Sequence, residues 1–297
     1  MIAPSSTLKG ELHHDYALAK LTTWRVGGVA DTFYRPEGVE DLAVFLQQLP
    51  ANEPVMFLGL GSNLLVRDGG VRGAVVLIHG MNAEIASLGQ GRVHAGAGAP
   101  CAKVARFVAN QDLAGGRFLA GIPGTIGGAL AMNAGAFGGE TWEKVVEVET
   151  LDRGGKLHKR TPDDFEIAYR SVEGIDGQVF VSAVFEFEAG DADTEKVGIK
   201  SLLAKRAETQ PTGIPSCGSV FRNPEGDYAA RLIEAAGLKG VTIGGAEVSL
   251  KHANFILNTD HATAADIESL VSHVQDTVEQ KFGVKLHREV RIVGEAL

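Results

Sequence analysis

Two glycine-rich segments give this sequence its clearest capacity to bind a ligand. The first is GLGSNL at residues 59–64, and the second is GIPGTIGGALAMNAGAFGGE at residues 121–140. Glycine lets the main chain approach a ligand closely and adopt conformations that other residues avoid. The second segment has no cationic side chain, so backbone N–H groups, Thr125 and Asn133 would have to hold a phosphate there. One such cluster fits tight turns between strands equally well, whereas two clusters favour a bound ligand.

Two common nucleotide-binding motifs are missing from the sequence. Residues 59–64 begin like the dinucleotide fingerprint Gly-x-Gly-x-x-Gly, but Leu64 takes the place of the third glycine. An apolar strand pattern follows, where the fingerprint requires the N-terminus of a helix. No Gly-Lys-Ser or Gly-Lys-Thr follows a glycine at the spacing of a Walker loop. The sequence therefore predicts neither a Rossmann site nor a P-loop.

Three polar residues, Ser219, Arg170 and Glu289, each have an ordinary structural interpretation when taken alone. Ser219, in CGSVF, is typical of a turn serine beside glycine, and it lacks the Gly-x-Ser-x-Gly elbow of a hydrolase. Arg170, in AYR, is typical of a surface charge. Glu289, in REV, alternates with charged residues like the solvated face of an edge strand. The neighbouring Cys217 has no evident partner, which favours a small buried or site-lining thiol.

Length and composition limit the class of protein. A chain of 297 residues can form a large core and two or more domains. A net charge of −9 argues against a general nucleic-acid-binding role, and two cysteines are too few for a disulfide framework. The first residues lack the apolar run of a signal peptide, and no apolar stretch reaches membrane-spanning length. We therefore expect a cytoplasmic protein without membrane insertion, and we predict no metal site.

The elements that would position these residues form an α+β mixture. The last helix is the best defined, because Thr263 and Asp266 form a capping-box pattern and Gly283 ends it. The polar residues 188–194 predict a domain boundary. Periodicity predicts four further helices: one at 39–49, one at 102–110, one with Ile199, Leu202 and Leu203 on its inward face, and one that ends near Gly237. It predicts strands at 55–58, 64–66, 74–78, 145–150, 179–187 and 284–293.

Six motifs together resemble one enzyme family. They are TTWRVGGVADTFYRP, GLGSNLLV, AGIPGTIGGALAMNAGAFGGE, CGSVFRNP, KHANFILN and EVRIVG, in family order from Thr22 to Gly294. This pattern resembles UDP-N-acetylenolpyruvoylglucosamine reductases, and it is similar to their shorter subgroup. The resemblance implies an FAD-binding fold of the vanillyl-alcohol-oxidase (PCMH) type in two lobes, residues 1–75 and 76–190. A C-terminal α+β substrate-binding domain would span residues 195–297.

The resemblance also implies a cofactor and the residues that hold it. FAD would be bound without a covalent link, since neither histidine nor cysteine occurs in the two glycine loops. The implied cofactor residues are Gly59, Leu60, Gly61, Ser62, Asn63, Gly121, Ile122, Pro123, Gly124, Thr125, Ile126, Gly127, Asn133 and Arg206. Arg206 could equally serve the substrate.

The family reduces the vinyl ether of enolpyruvyl-UDP-N-acetylglucosamine to UDP-N-acetylmuramate in peptidoglycan synthesis. NADPH first reduces FAD, and hydride then passes from flavin N5 to the terminal vinyl carbon. By resemblance, Ser219 is the proton donor, Arg170 pairs with the substrate carboxylate and Glu289 completes the site. The implied substrate-binding residues are Arg222, Asn223, Lys251 and His252. One departure is Val172, because the family usually has serine two places after the arginine.

Two rival functions are compatible with parts of this pattern. One is an FAD oxidase on the same fold that acts on another hydroxylated substrate. The other is a UDP-sugar-binding protein or a regulatory protein that contains no flavin.

The colour of the purified protein distinguishes these functions. We expect a yellow preparation that releases FAD on denaturation, measured by its absorbance and fluorescence. A colourless preparation that cannot be reconstituted with FAD would instead support a binding protein.

Overall fold

The computed structural model describes residues 7–297. This part of the chain forms two compact units. The first contains Phe33–Leu60, Ala74–Lys205 and the described residues up to His13, and the second contains His14–Thr32, Gly61–Gly73 and Arg206–Leu297. Across residues 7–297, no helix has both the length and the apolar character needed to cross a membrane.

Six α-helices and twenty strands are described. The helices are Val39–Gln48 (α1), Cys101–Asn110 (α2), Ile126–Ala131 (α3), Ala192–Thr209 (α4), Ala229–Ala235 (α5) and Ala264–Phe282 (α6). The strands are Glu11–Ala17 (β1), Val29–Arg35 (β2), Val55–Leu58 (β3), Leu64–Val66 (β4), Val71–Leu77 (β5), Ile85–Gly89 (β6), Arg92–Gly96 (β7), Leu113–Ala114 (β8), Gly135–Ala136 (β9), Gly139–Glu140 (β10), Val145–Leu151 (β11), Leu157–Arg160 (β12), Glu166–Ala168 (β13), Ser171–Glu173 (β14), Val179–Glu186 (β15), Glu188–Ala189 (β16), Thr242–Ile243 (β17), Ala246–Val248 (β18), Ile256–Asn258 (β19) and Arg291–Val293 (β20).

The first unit is built on a five-stranded antiparallel sheet in the order β12-β11-β15-β7-β6. Residues recurring at helical spacing on α2, including Cys101, Val104 and Val108, are buried in its core. A second cluster forms where α1 packs against the parallel pair β3 and β5. Alternation in the strands and helical periodicity in α1 and α2 thus produce the buried faces that the sequence predicts.

The second unit packs α5 and α6 with the sheet β17-β18-β19. Thr263 and Asp266 form the predicted capping box, and Gly283 ends α6 in the left-handed conformation at φ 68°. The parallel pair β4 and β20 joins the segment after the first glycine loop to the C-terminal segment. This pairing carries residues from distant parts of the sequence into one unit.

Two details differ from the sequence prediction. Only Arg291–Val293 forms a strand within residues 284–293, because the segment before it pairs through one isolated bridge, Phe221 with Arg288. Leu203 is not inward, since it is 36% exposed, and Leu202 is only half-buried. In α4 the buried positions are Glu195 and Ile199. An ion pair between the buried Glu195 and the half-buried Arg117 takes the place of the wider apolar face that was expected.

The ion pair between Arg117 and Glu195 should contribute to stability. Both guanidinium bonds are short, at 2.7 Å from Nε and 2.6 Å from Nη2, and the Glu195 side chain is only 7% exposed. Arg117→Ala would leave a buried carboxylate without its partner and lower the free energy of unfolding by about 2 to 4 kcal/mol.

Arg92→Ala is the matched control, because Arg92 pairs with Glu186 at 2.8 Å on the surface of the same unit. Its cost should stay below about 1 kcal/mol. Urea unfolding measures both variants, and equal losses would contradict the role assigned to the buried pair.

Candidate active site

The first glycine loop, residues 59–63, connects β3 directly to β4. Gly61 has φ +59°, and a Cβ there would lie 2.2 Å from the Leu21 carbonyl oxygen. The Thr23 amide donates to the Gly61 carbonyl at 3.2 Å. The second unit therefore requires glycine at position 61, and no helix follows the loop. This agrees with the rejection of a Rossmann fingerprint from the sequence.

The start of the first glycine-rich segment lies beside the second segment within the first unit. A Cβ on Gly59 would lie 2.7 Å from Oγ1 of Thr125. Thr125 is buried and caps α3, since its Oγ1 accepts from the Gly128 amide at 3.4 Å. The Gly127 amide donates to the Ala97 carbonyl at 2.9 Å. Close contact between the loops thus explains glycine at position 59 and fixes the start of the second segment.

The first loop offers main-chain donors to a ligand. Within residues 7–297, no carbonyl or side chain accepts a hydrogen bond from the amides of Gly59, Leu60, Gly61 or Ser62. Successive unbonded N–H groups in a turn suit an anion such as a diphosphate. The residues present therefore fit the diphosphate of FAD, and they do so without a cationic side chain in the loop.

Arg170 is held by the second half of the other glycine segment. It lies between β13 and β14 with φ +56°, and its side chain is 14% exposed. Its Nη1 donates to the Asn133 carbonyl at 3.2 Å and its Nη2 to the Gly135 carbonyl at 2.9 Å. Glu140 Oε1 lies 3.6 Å from Nη1. The guanidinium therefore has a fixed position in the first unit.

Asn133 is the centre of this arrangement. It is 2% exposed and adopts φ +45°. Its Nδ2 donates to Glu140 Oε2 at 2.8 Å and to the Ala168 carbonyl at 3.2 Å, while its Oδ1 accepts from the Trp142 amide at 3.2 Å. These bonds join the glycine segment to the turn that carries Arg170. The sequence prediction did not include Glu140, although this residue ends the quoted motif AGAFGGE.

Val172, the departure from the family pattern, lies in the core of the first unit. It is 9% exposed and pairs with Ile167 across the hairpin of β13 and β14. Valine at this position therefore stabilises the hairpin on which Arg170 sits.

In the second unit, the structure brings the segments of Ser219 and Glu289 together. The Glu289 amide donates to the Val220 carbonyl at 2.8 Å, and the Arg222 amide donates to the His287 carbonyl at 2.8 Å. Burial raises the pKa of the Cys217 thiol well above its ordinary value, and the negative charge of Glu289 adds to this effect. Ser219 is half-buried between Cys217 and Val220. A hydroxyl and a carboxylate from distant parts of the chain thus lie on paired segments.

Asn63 connects the first glycine loop to this pair. Its Nδ2 donates to the Glu289 carbonyl at 3.0 Å, and its own carbonyl accepts from the Arg291 amide at 3.1 Å. The loop that is expected to hold the cofactor diphosphate therefore also fixes the main chain at Glu289.

Arg222 has the clearest opening for an anionic ligand among the cations of the second unit. Its Nε is buried and has no hydrogen-bond partner among the residues described. A buried unsatisfied donor is costly, so this atom is suited to a ligand. Arg206 lies in the last turn of α4, and burial lowers its pKa.

The other residues predicted to bind the substrate make contacts within the second unit. Lys251 Nζ donates to the Ala207 carbonyl at 2.6 Å. Burial lowers the pKa of His252, whose ring packs edge-on against Phe255. Asn223 Oδ1 accepts from the Ala229 amide at 3.1 Å, at the start of α5. Each of these contacts also gives the residue a structural role.

Comparison with known proteins identifies the relatives of this chain. Residues 30–161 match the family described as FAD binding domain, and residues 210–293 match UDP-N-acetylenolpyruvoylglucosamine reductase, C-terminal domain. The reductase of Alkalilimnicola ehrlichii is 55% identical over 296 residues, covering 100% of this chain and 99% of the relative. That of Methylococcus capsulatus is 58% identical over 285 residues, covering 96% and 93%. The crystal structure of the Thermus caldophilus reductase matches with a TM-score of 0.82 at 30% identity, covering 97% of this chain and 100% of that one.

The fold and these matches define an FAD-binding oxidoreductase. The chain belongs to the UDP-N-acetylenolpyruvoylglucosamine reductase family. The predicted fold class is confirmed: an FAD-binding fold of the vanillyl-alcohol-oxidase type with a C-terminal α+β region. FAD as cofactor, and NADPH and a UDP-sugar as the reacting partners, are those of the family.

The structural importance of Asn133 can be tested by comparison with Asn82. Both residues belong to the first unit and have positive φ, but Asn82 makes a single bond, from Nδ2 to the Val181 carbonyl. Asn133→Ala should lower the free energy of unfolding by about 2 to 4 kcal/mol, because three buried hydrogen bonds are lost. Asn82→Ala should cost about 1 kcal/mol. Chemical denaturation measures both values, and similar losses would show that the bonds of Asn133 add little.

Proposed function

We propose that this chain catalyses the NADPH-dependent, FAD-mediated reduction of UDP-N-acetyl-3-O-(1-carboxyvinyl)glucosamine to UDP-N-acetylmuramate. The reaction is a step in peptidoglycan precursor synthesis, and we place it in the cytoplasm. One observation carries the proposal at the level of residues. In a member of this family, the segment of Ser219 pairs with the segment of Glu289, so that a hydroxyl and a carboxylate share one unit.

The two glycine loops are assigned to FAD. When bound, FAD supplies the hydride that reaches the terminal vinyl carbon of the substrate. Residues 59–63 would hold its diphosphate through their amides, and residues 121–127 would form the second flavin loop, supported by Asn133. The closeness of Gly59 to Thr125 supports this assignment, because it brings the start of the first loop beside the second loop in the first unit. Arg206 is assigned to the cofactor, with the substrate as its alternative ligand.

Ser219 is assigned the proton transfer. Hydride addition to the terminal carbon leaves negative charge on the neighbouring carbon and on its carboxylate. That carbon is a strong enough base to take the proton of a serine hydroxyl, although serine is a very weak acid. Arg170 would pair with the substrate carboxylate, where a guanidinium can form two parallel bonds. Glu289 would orient the reacting groups and stabilise the developing acid form.

The substrate adds a diphosphate and a carboxylate to a protein of net charge −9. Local cations must therefore attract it. Arg222 is assigned to this role because its buried Nε is available, and Asn223, Lys251 and His252 are assigned beside it. Lysine has three donor hydrogens, so the contact of Lys251 with the Ala207 carbonyl leaves it able to bind a ligand.

The division of the chain into domains with separate functions also stays a prediction. In it, residues 1–75 and 76–190 are the two flavin-binding lobes, and residues 195–297 bind the substrate.

Ser219→Ala should separate the two halves of the reaction. NADPH should still bleach the flavin, whereas reoxidation by the enolpyruvyl sugar nucleotide should slow by about 100-fold or more, as expected for a lost general acid. Stopped-flow absorbance measures each half separately. Ser216→Ala is the control, because Ser216 lies in the same segment and its main chain pairs with Leu257. Normal reoxidation in Ser219→Ala would remove Ser219 from the mechanism.

Arg170→Ala should lower both kcat and kcat/KM, since the arginine is assigned to charge that develops in the transition state. Arg160→Ala is matched to it, because Arg160 also donates to two carbonyls in the first unit, those of Gly174 and Asp164. That variant should keep its kinetic constants. Steady-state NADPH oxidation measures them. A rise in KM alone for Arg170→Ala would make the arginine a simple binding group.

A further inference from the structure

Asn254, within the motif KHANFILN, holds the segment that carries Ser219. Its Oδ1 accepts from the Phe221 amide at 3.0 Å, and its Nδ2 donates to the Phe221 carbonyl at 2.8 Å. Its own carbonyl accepts from the Val220 amide at 2.9 Å. Asn254 is 4% exposed, so these bonds lie out of water. One side-chain amide thus pairs with Phe221 as a neighbouring strand would.

The opposite edge of the same segment faces Glu289. The Val220 carbonyl accepts from the Glu289 amide at 2.8 Å and from the Val290 amide at 3.3 Å. Val220 and Phe221 are 0% and 2% exposed, so their side chains are packed into the core of the second unit. The main chain beside Ser219 is therefore fixed from both sides, by Asn254 and by the segment of Glu289.

We propose that Asn254 is a positioning residue for proton delivery, because it fixes the position of Ser219 relative to Glu289. This inference rests on the function proposed above. Val220 directly follows Ser219, so a shift of the Val220–Phe221 main chain moves the serine hydroxyl with it. Misplacement of a reacting group by about 1 Å can cost about 100-fold in rate. Asn254 makes no direct contribution to the chemistry in this proposal.

Asn258 provides the matched control, four residues later in the same motif. Its Nδ2 donates to the Trp24 carbonyl at 2.9 Å, and its Oδ1 accepts from the Ala262 amide at 2.9 Å. Both asparagines therefore bind one main-chain acceptor and one main-chain donor in the second unit. The side-chain amide of Asn254 forms hydrogen bonds with the segment of Ser219, whereas that of Asn258 forms them with two other segments. A purely structural role of Asn254 would lower stability without affecting one half-reaction more than the other.

The experiment compares Asn254→Leu with Asn258→Leu in the FAD-loaded full-length protein. Asn254→Leu should slow flavin reoxidation at saturating enolpyruvyl sugar nucleotide by about 10- to 100-fold. Its bleaching by NADPH should match the wild type. Asn258→Leu should keep the rates of both half-reactions within about twofold of the wild type, even if its melting temperature falls as much as that of Asn254→Leu. If Asn254→Leu does not fold, Asn254→Asp takes its place. This variant keeps an acceptor for the Phe221 amide, so it should fold and show the same selective loss of reoxidation.

Hydrogen exchange gives a second readout that is independent of turnover. In Asn254→Leu the Phe221 amide loses its acceptor, so exchange in residues 217–223 should rise at least tenfold. The same peptide should stay protected in Asn258→Leu. Equal loss of reoxidation in both variants, equal loss of both half-reactions in Asn254→Leu, or unchanged exchange would each overturn the proposal.

The wild-type protein separates this inference from the proposed function. If wild-type flavin is not reoxidised by the enolpyruvyl sugar nucleotide, the proposed function fails and the role in proton delivery fails with it. Selective exchange in residues 217–223 would then still establish that Asn254 fixes this segment. If the wild type turns over and Asn254→Leu does so equally fast, only the positioning role fails.

Discussion

The hydrogen bond from the Glu289 amide to the Val220 carbonyl is the contact on which the proposed proton transfer at Ser219 depends. It joins two segments that are far apart in sequence and that contribute only one isolated bridge between them. A short contact of this kind is easily displaced unless its neighbours hold it. Asn254 supports it from one side, and Asn63 supports it from the other by donating to the Glu289 carbonyl. Side-chain amides here replace the regular ladder of a sheet.

Glycine has a different structural function in the two glycine-rich segments. At Gly59 and Gly61 it allows close packing, since any Cβ would collide with Thr125 or with the Leu21 carbonyl. That packing leaves the loop amides directed away from protein acceptors. In the second segment the glycines are followed by Asn133 and Glu140, which bind the turn of Arg170. The same motif therefore contains both the proposed flavin loop and the residues that position Arg170, the side chain proposed to pair with the substrate carboxylate.

Capping signals and the apolar repeat of the last helix were read correctly from the sequence, whereas periodicity failed where contacts between distant residues decide the structure. The capping box and the apolar repeat of α6 are local, so they predict the helix closely. The inward position of Leu203 was wrong because α4 is anchored by an ion pair, which periodicity does not detect. Residues 284–290 alternate like a strand but lack a continuous partner. Glu140 and Asn254 were missed because their importance lies in contacts with residues about 30 positions away, Arg170 and Phe221.

The burial of Cys217 has a consequence for covalent inhibitors. The thiol is two residues from Ser219, the proposed proton donor, which would make it an obvious target for an electrophile placed in the proposed substrate site. Thiol alkylation requires the thiolate, however, and burial together with the charge of Glu289 keeps the proton on sulfur at neutral pH. Reagents such as iodoacetamide or acrylamides would find little nucleophile there. An irreversible ligand for this enzyme would therefore have to attach elsewhere.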